Sequence, residues 1–299
     1  MPREPLFFGV NTRLPVCRAE WGMEPDPNRG AAAVRSGEGQ GAGVGRLVGS
    51  MVDAPSGRRQ PPPPAPTGYN SFLYKDLRIT VIIPCLNEEQ GIEKVLRLMP
   101  AFVDDVIVVD NGSTDRTADV AKSFGANVIR ENVRGYGRAY KRGFSEATGD
   151  LIITLDGDHS YPPDAISYLL EAFLHLQVDF LNASRFPVRD SEAMSFKHKV
   201  GNFVLSLAMS LLYFRWVRDS QSGMWVFRRS ILEGFNLESD GMAFSEEIKI
   251  EALRSSNVRF SELSILYTSR LGEIKLNPWR DGFFNLYFLV KKRFSARRK

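Results

Sequence analysis

Asp156 and Asp158 stand one residue apart just after Leu151-Ile-Ile-Thr-Leu155, a run of four apolar residues and one threonine. A short run of this composition reads as a buried strand. It therefore delivers both carboxylates to its carboxyl edge, where open α/β sheets bind their ligands. Gly157 between them lets the backbone turn closely around whatever is held there. Two hard oxygen ligands suit Mg²⁺ or Mn²⁺, which normally arrive bridged to substrate phosphates. The chemistry expected is a divalent cation holding a diphosphate. Taken alone, Asp-Gly-Asp is also an ordinary turn, so the rest of the chain has to decide.

Those carboxylates need a sheet behind them, and the sequence supplies one. Residues 77–83 form a continuous β-branched run that reads as a first buried strand. Ile92, Val95, Leu96 and Met99 recur at helical spacing until Pro100 stops them. A second strand over 105–109 leads into Asp110-Asn-Gly-Ser-Thr-Asp115, followed by a helix over 114–124 closed by Gly125. A third strand over 127–130 and a helix over 139–147 precede the run that carries the carboxylates. This β-α-β-α-β-α-β alternation predicts an α/β fold with a mostly parallel sheet and helices on both faces. Further on, helices are expected over 164–176 and 244–255, strands over 180–184, 224–227, 258–266 and 267–270, an apolar segment over 200–214, and a last helix over 279–294.

With 43% hydrophobic and 25% charged residues in 299, the composition is that of an ordinary globular protein of one large domain or two small ones. Residues 1–75 are set apart. The first seventy hold 11 of the 17 prolines, 11 of the 25 glycines and eight arginines without a lysine, so they are read as a disordered leader with Met51 as a candidate true start. The body is expected over 76–276, and an amphipathic helix with a basic tail over 277–299. The net charge of +4 is modest, but Lys291, Lys292, Arg293, Arg297, Arg298 and Lys299 crowd the last nine residues. That placement suits anionic lipid; a solvated or nucleic-acid-binding tail is the plainer alternative, and no nucleic-acid partner is expected. Only Cys17 and Cys85 occur, which implies no disulfide framework and a reducing cytosol. No signal-peptide pattern opens the chain. The longest nearly uncharged apolar run, 203–214, is short of the ~18 residues needed to span a bilayer, so any membrane contact is expected to be peripheral.

Six segments recur in a telling order: Pro84-Cys-Leu-Asn-Glu88, Val108-Val-Asp-Asn-Gly-Ser-Thr-Asp115, Asp156-Gly-Asp158 with Tyr161-Pro-Pro163, Asn182-Ala-Ser-Arg185, Arg218-Asp-Ser-Gln-Ser-Gly223 and Arg270-Leu-Gly-Glu-Ile-Lys275. Together they resemble the family 2 glycosyltransferases of the GT-A fold, most closely the dolichyl-phosphate mannose synthase and polyprenyl-phosphate glycosyltransferase branch. The resemblance implies a GT-A nucleotide-sugar-binding fold and an inverting, metal-assisted transfer of a hexose, of mannose or glucose type, from a GDP- or UDP-hexose to a polyprenyl or dolichyl phosphate. It implies metal ligands at Asp156 and Asp158 and donor contacts at Pro84, Asn87, Glu88, Asp110, Asn111, Asp156, Arg270 and Lys275. Arg185, Arg218 and Ser222 are implied to hold the acceptor phosphate. The chain departs from the pattern at His159-Ser160, where Leu-Gln is frequent, at Asn111, and at Glu273-Ile274; the third metal ligand and the donor sugar stay open.

A phosphate monoester is already ionised at neutral pH, with a second pKa near ~6, so such an acceptor needs positioning more than activation. A hydroxyl acceptor needs a base. In that alternative, a soluble sugar or glycan acceptor, Glu246 or Glu247 would serve. Residues 203–214 lie between Lys197, His198 and Lys199 on one side and Arg215 and Arg218 on the other, with Ser206 and Ser210 as a weakly polar stripe. They fit an interfacial helix or a plain core helix, and 279–294 is a second interfacial candidate. The expected location is cytoplasmic, peripheral on the cytoplasmic face of a membrane. A dinucleotide-binding reading of Arg134-Gly-Tyr-Gly-Arg-Ala-Tyr140 fails, because its third glycine position is Tyr140 and it follows the third strand. A non-catalytic sugar-nucleotide-binding protein would have no need of the carboxylate pair.

Overall fold

In the computed structural model, which describes residues 76–188, 190, 193–272 and 278–295, the strand β1 (Ile79–Cys85) is buried at every residue but Pro84. Its side chains alternate between two layers. Ile79, Val81 and Ile83 pack with Ile92 and Val95 of α1 (Glu89–Arg97) and with Leu169 and Phe173 of α4 (Ala165–His175). Ile82 turns the other way, toward Ala139 and Tyr140 of α3 (Tyr136–Glu146) and Phe244 and Ile248 of α6 (Phe244–Arg254). Burial on both faces is why this strand reads as an unbroken apolar run and not as an alternating one.

Seven strands lie in the order β3-β2-β1-β4-β6-β5-β7: β2 is Asp105–Asp110, β3 Asn127–Arg130, β4 Leu151–Thr154, β5 Phe180–Ser184, β6 Trp225–Arg228 and β7 Phe260–Ser264. From β1 the chain steps out to β2 and β3, with α2 (Thr117–Ser123) between them, then returns to place β4 on β1's other side. All these neighbours are parallel. The reversal between β1 and β4 opens a crevice beyond the strands' carboxyl ends. β6 runs antiparallel to both β4 and β5. Its entry, opposite Thr154 in the register Thr154↔Trp225, therefore falls at that same edge, as does the end of β5.

Several boundaries differ from expectation for local reasons. α2 starts at Thr117 because Asp115 accepts the Thr117 backbone N–H at 3.0 Å and its hydroxyl at 2.5 Å. α5 (Phe196–Tyr213) begins well before residue 200, with Ser195 as its cap. Residues 267–270, expected as strand, lie outside the sheet. Thr268 N–H bonds the Ser160 carbonyl (3.1 Å) and Leu271 N–H the Asp158 carbonyl (2.9 Å), so this segment folds back over the carboxylate turn.

α5 and α7 (Pro278–Phe294) pack on one another, joined by Tyr213 O–H to the Leu289 carbonyl at 3.2 Å. Both are inside out. The buried stripe of α5 is Asn202, Leu205, Ser206, Met209 and Ser210, and Asn285, Leu289 and Lys292 are buried on α7. The outward stripes are Val200, Phe203, Val204, Leu207 and Leu211 on α5, and Phe283, Phe284, Leu286, Tyr287, Val290 and Phe294 on α7. These side chains, with Phe214 and Trp216, are 37% to 83% exposed, so a broad apolar face looks outward. Among the described residues no helix is long and apolar enough to cross a membrane.

Candidate active site

The crevice is a cleft of about 280 Å³ whose lining includes Pro84, Glu88, Asn111, Asp156, Asp158 and Arg270. Pro84 comes from the end of β1 itself, the loops after β1, β2 and β4 supply the next four, and the returning segment after β7 supplies Arg270. Arg270 Nη2 lies 3.3 Å from Glu88 Oε1 and 3.4 Å from Asp158 Oδ2. Its Nε is buried and has no hydrogen-bond partner among the described residues. Asp158 Oδ1 accepts the Ser160 backbone N–H (2.9 Å) and hydroxyl (2.6 Å), which fixes the carboxylate's orientation. Asp156 accepts from the Tyr136 hydroxyl at 3.3 Å. Burial, and then the charge of Asp158, push the Asp156 carboxyl up to about 7, against the Tyr136 hydrogen bond and the positive charges of Arg185 and Arg270. Two close carboxylates that resist joint ionisation are what a divalent cation relieves. Among the described residues no third His, Cys, Asp or Glu completes a protein-only cage; this donor set fits a hard cation that brings diphosphate oxygens with it.

Two glycines are fixed by close approach. A Cβ on Gly91, in the first turn of α1, would stand 2.4 Å from the Gly157 carbonyl oxygen, and one on Gly223 would stand 2.5 Å from the Tyr136 hydroxyl and 3.1 Å from both Asp156 oxygens. Asn87 and Asn111 act on the loops. Asn87 Oδ1 accepts the Thr114 N–H (2.7 Å), while Asn111 holds the 131–135 loop through the Glu131 and Val133 carbonyls and the Gly135 N–H. Asp110 is buried and accepts the Ser113 N–H at 2.8 Å.

The acceptor-side residues implied by the resemblance are not all together. Arg185, at the end of β5, grips Asp219 with two parallel bonds, Nε to Oδ2 and Nη2 to Oδ1, each 2.8 Å, and its guanidinium lies over the Tyr267 ring. Burial pushes Asp219 up, but the Arg185 charge and hydrogen bonds outweigh it and hold the carboxyl at about 2. Ser222 is buried, its hydroxyl donated to the Ala183 carbonyl, so it braces the loop from beneath. Arg218 is exposed, and its backbone N–H donates to Glu262 Oε2 at 2.7 Å. Lys275 lies outside the described residues, as do residues 1–75 and the basic tail beyond Ser295.

Glu246 and Glu247 are both fully buried. Glu247 accepts the N–H groups of Glu238 and Ser239 and pairs with Lys292 at 2.8 Å. Glu246 takes the Gln221 amide at 2.5 Å, and burial pushes its carboxyl up to about 8, so it is protonated at neutral pH. Neither is a free carboxylate base in this geometry. Sequence reasoning missed Tyr136 and Gly223 under Asp156, Glu262 behind the Arg218 loop, and Lys249, whose buried ammonium holds the Ser220 and Ser222 carbonyls at 2.9 and 2.7 Å. The Gly-Tyr-Gly at 135–137 was a usable signal for Tyr136, and the 218–223 segment for Gly223; Glu262, partly buried, and Lys249, fully buried, are charges placed by tertiary contacts that no local pattern announces.

A GT-A sheet with a carboxylate pair and a guanidinium at its switch point defines a nucleotide-sugar transferase class, and the comparisons agree. Residues 80–235 match the model for glycosyl transferase family 2. The chain belongs to that family and is a glycosyltransferase. It is 32% identical over 219 residues to the low-salt glycan biosynthesis hexosyltransferase Agl6 of Haloferax volcanii, covering 71% of this chain but only 53% of that protein. To the dolichyl-phosphate hexose transferase of the same organism it is 30% identical over 215 residues, 71% of this chain and 91% of the other. Among solved structures, glucosyl-3-phosphoglycerate synthase from Mycobacterium tuberculosis in complex with Mn²⁺, UDP and glucosyl-3-phosphoglycerate has a TM-score of 0.58 at 19% identity, over 74% of this chain and 81% of that one. That likeness is one of fold.

Proposed function

We propose that this glycosyltransferase moves a hexose from a GDP- or UDP-sugar to a polyprenyl phosphate while resting peripherally on the cytoplasmic face of a membrane. The observation that carries the reading is the reversed polarity of α5 and α7. Their apolar stripes face outward, and Lys197, Arg215, Arg218, Lys291 and Arg293 are exposed beside them. An apolar face edged with cations fits an anionic bilayer, and the loop those helices hold, 219–222, also holds Arg185. The buried, committed state of Glu246 and Glu247 points the same way, since an ionised phosphate needs no base.

The residues divide the work along the cleft. Asp158 and Asp156 would hold Mg²⁺ or Mn²⁺, which supplies positive charge to the departing diphosphate. Arg270, whose Nε has no hydrogen-bond partner among the described residues, would meet the diphosphate oxygens and suits them as a planar fork. Pro84 and Glu88 line the nucleoside end, and Asn111 fixes the loop that closes it. Arg185, just past the end of β5 at the same sheet edge, would aim the acceptor phosphate at the anomeric carbon from the side opposite the diphosphate. Displacement from that side inverts the anomeric centre.

The test is direct. The purified protein is incubated with a polyprenyl phosphate, labelled GDP- and UDP-hexoses and Mn²⁺ or Mg²⁺, and label is counted in an organic extract. Label entering the lipid from one donor and stopping with chelator is expected. Label confined to water-soluble products would overturn the acceptor and shift the reading to a hydroxyl acceptor.

A further inference from the structure

Asp219 is completely buried, and its bonds lead in two directions. Toward the cleft, it holds the Arg185 side chain and backbone N–H. Away from the cleft, its Oδ1 accepts the Asn202 side-chain amide of α5 at 2.8 Å and the Gln221 N–H at 3.1 Å. Gln221 in turn accepts, through its Oε1, the Asn285 amide of α7 at 2.9 Å. Each inside-out helix thus sends one buried amide, Asn202 at 4% and Asn285 at 5% exposure, into the same short loop. Ser206 of α5 adds a third tie, accepting the Ser220 N–H at 2.9 Å.

We propose that Asn202 and Asn285 are positioning residues that transmit the seating of α5 and α7 on a bilayer to Arg185, so that the acceptor site takes its working geometry on the membrane. The inference rests on the lipid-phosphate reading above. A ligand shifts a conformational equilibrium only by contacting its two states differently, and here the bilayer contacts the outer stripes of the helices whose inner stripes carry the amides. A buried amide left without a partner is costly, so a helix that shifts takes the loop with it. Arg185 follows because its guanidinium is bound to Asp219 at both ends of the fork. Neither asparagine lines the cleft, which separates their role from substrate contact.

The experiment uses the full chain, a short water-soluble prenyl phosphate, labelled donor and Mn²⁺, with or without acceptor-free vesicles of phosphatidylcholine and phosphatidylglycerol in equal parts. Because the acceptor is soluble, the vesicles cannot act by concentrating it. They are expected to lower its KM or raise kcat by about fivefold or more, within the usual range of site coupling, with donor KM unchanged. Asn285→Leu is expected to bind the vesicles as the parent does and to lose the stimulation, and Asn285→Gln to recover part of it. A merely structural amide would lower thermal stability or overall rate yet leave the stimulation ratio intact, and that result overturns the proposal. Transfer without any stimulation in the parent overturns the coupling alone, whereas no transfer to prenyl phosphate under any condition overturns the acceptor reading and the coupling with it. Asn202→Leu, nearer the core, is the second variant; should it fail to fold, Asn285 on the last helix still decides.

Discussion

Asp156 keeps its proton unusually long, with burial and Asp158 together raising its carboxyl to about 7. Cation binding must expel that proton, so Mn²⁺ affinity is expected to rise as pH rises through 7, with proton release measurable by calorimetry in two buffers. The sign for the metal-free fold is opposite. A carboxyl whose folded pKa is raised gains a proton on folding, so its contribution to stability falls as pH climbs from about 4 to about 7. Asp156→Asn is therefore expected to raise Tm at pH 8 by a few degrees, equivalent to about 1 kcal/mol for a chain of this size, while transfer is lost. Glu246→Gln tests the other side of the site. A carboxyl already protonated at neutral pH is replaced with little loss, within about threefold in kcat/KM, whereas removal of a true general base costs 10²–10⁴-fold. At this scale the sequence was legible where chemistry is local: the Asp156–Asp158 spacing and Arg270 in its motif. It was silent on Asp219, which follows Arg218 in the chain but pairs with Arg185, 34 residues earlier, because β5 and β6 meet side by side.

Among the elements, α1 and the carboxylate turn are pressed together. With 2.4 Å between a Gly91 Cβ and the Gly157 carbonyl, and 2.7 Å to the Asp158 Cα, Gly91→Ala must displace the backbone between Asp156 and Asp158, the proposed metal ligands. The expected cost is about 1–3 kcal/mol of stability together with weaker Mn²⁺ binding, read by thermal unfolding and metal titration; unchanged metal affinity would show that the turn moves independently of α1. Strands were legible because continuous β-branched runs and their Pro and Gly ends are local signals: β3 and β5 begin and end where expected. The face of α5 was not. Periodicity separates Asn202, Ser206 and Ser210 from Phe203, Leu207 and Leu211, but only the packing of Leu289 and Ile250 against Leu205 and Met209 says which stripe is inside.

For the whole molecule, the outward face of α5 and α7 sets behaviour in bulk solution. Flotation with anionic vesicles is expected, weakening with added salt as the cationic contribution of about 1 kcal/mol per residue is screened but persisting in part through apolar burial. Leu211→Glu with Phe284→Glu is expected to abolish flotation while leaving Mn²⁺ binding unaltered, because neither side chain lines the cleft. Salt-independent binding, or none to lipid, would assign that face to a protein partner. The antiparallel course of β6 also divides the molecule. It makes the Thr154↔Trp225 ladder a seam between two consecutive stretches of chain, the earlier furnishing the carboxylates and the loops after β1 and β2, the later furnishing Arg185 and the two inside-out helices. Arg270, reaching back to Glu88 and Asp158, is the clasp that closes the later stretch over the earlier one across that seam.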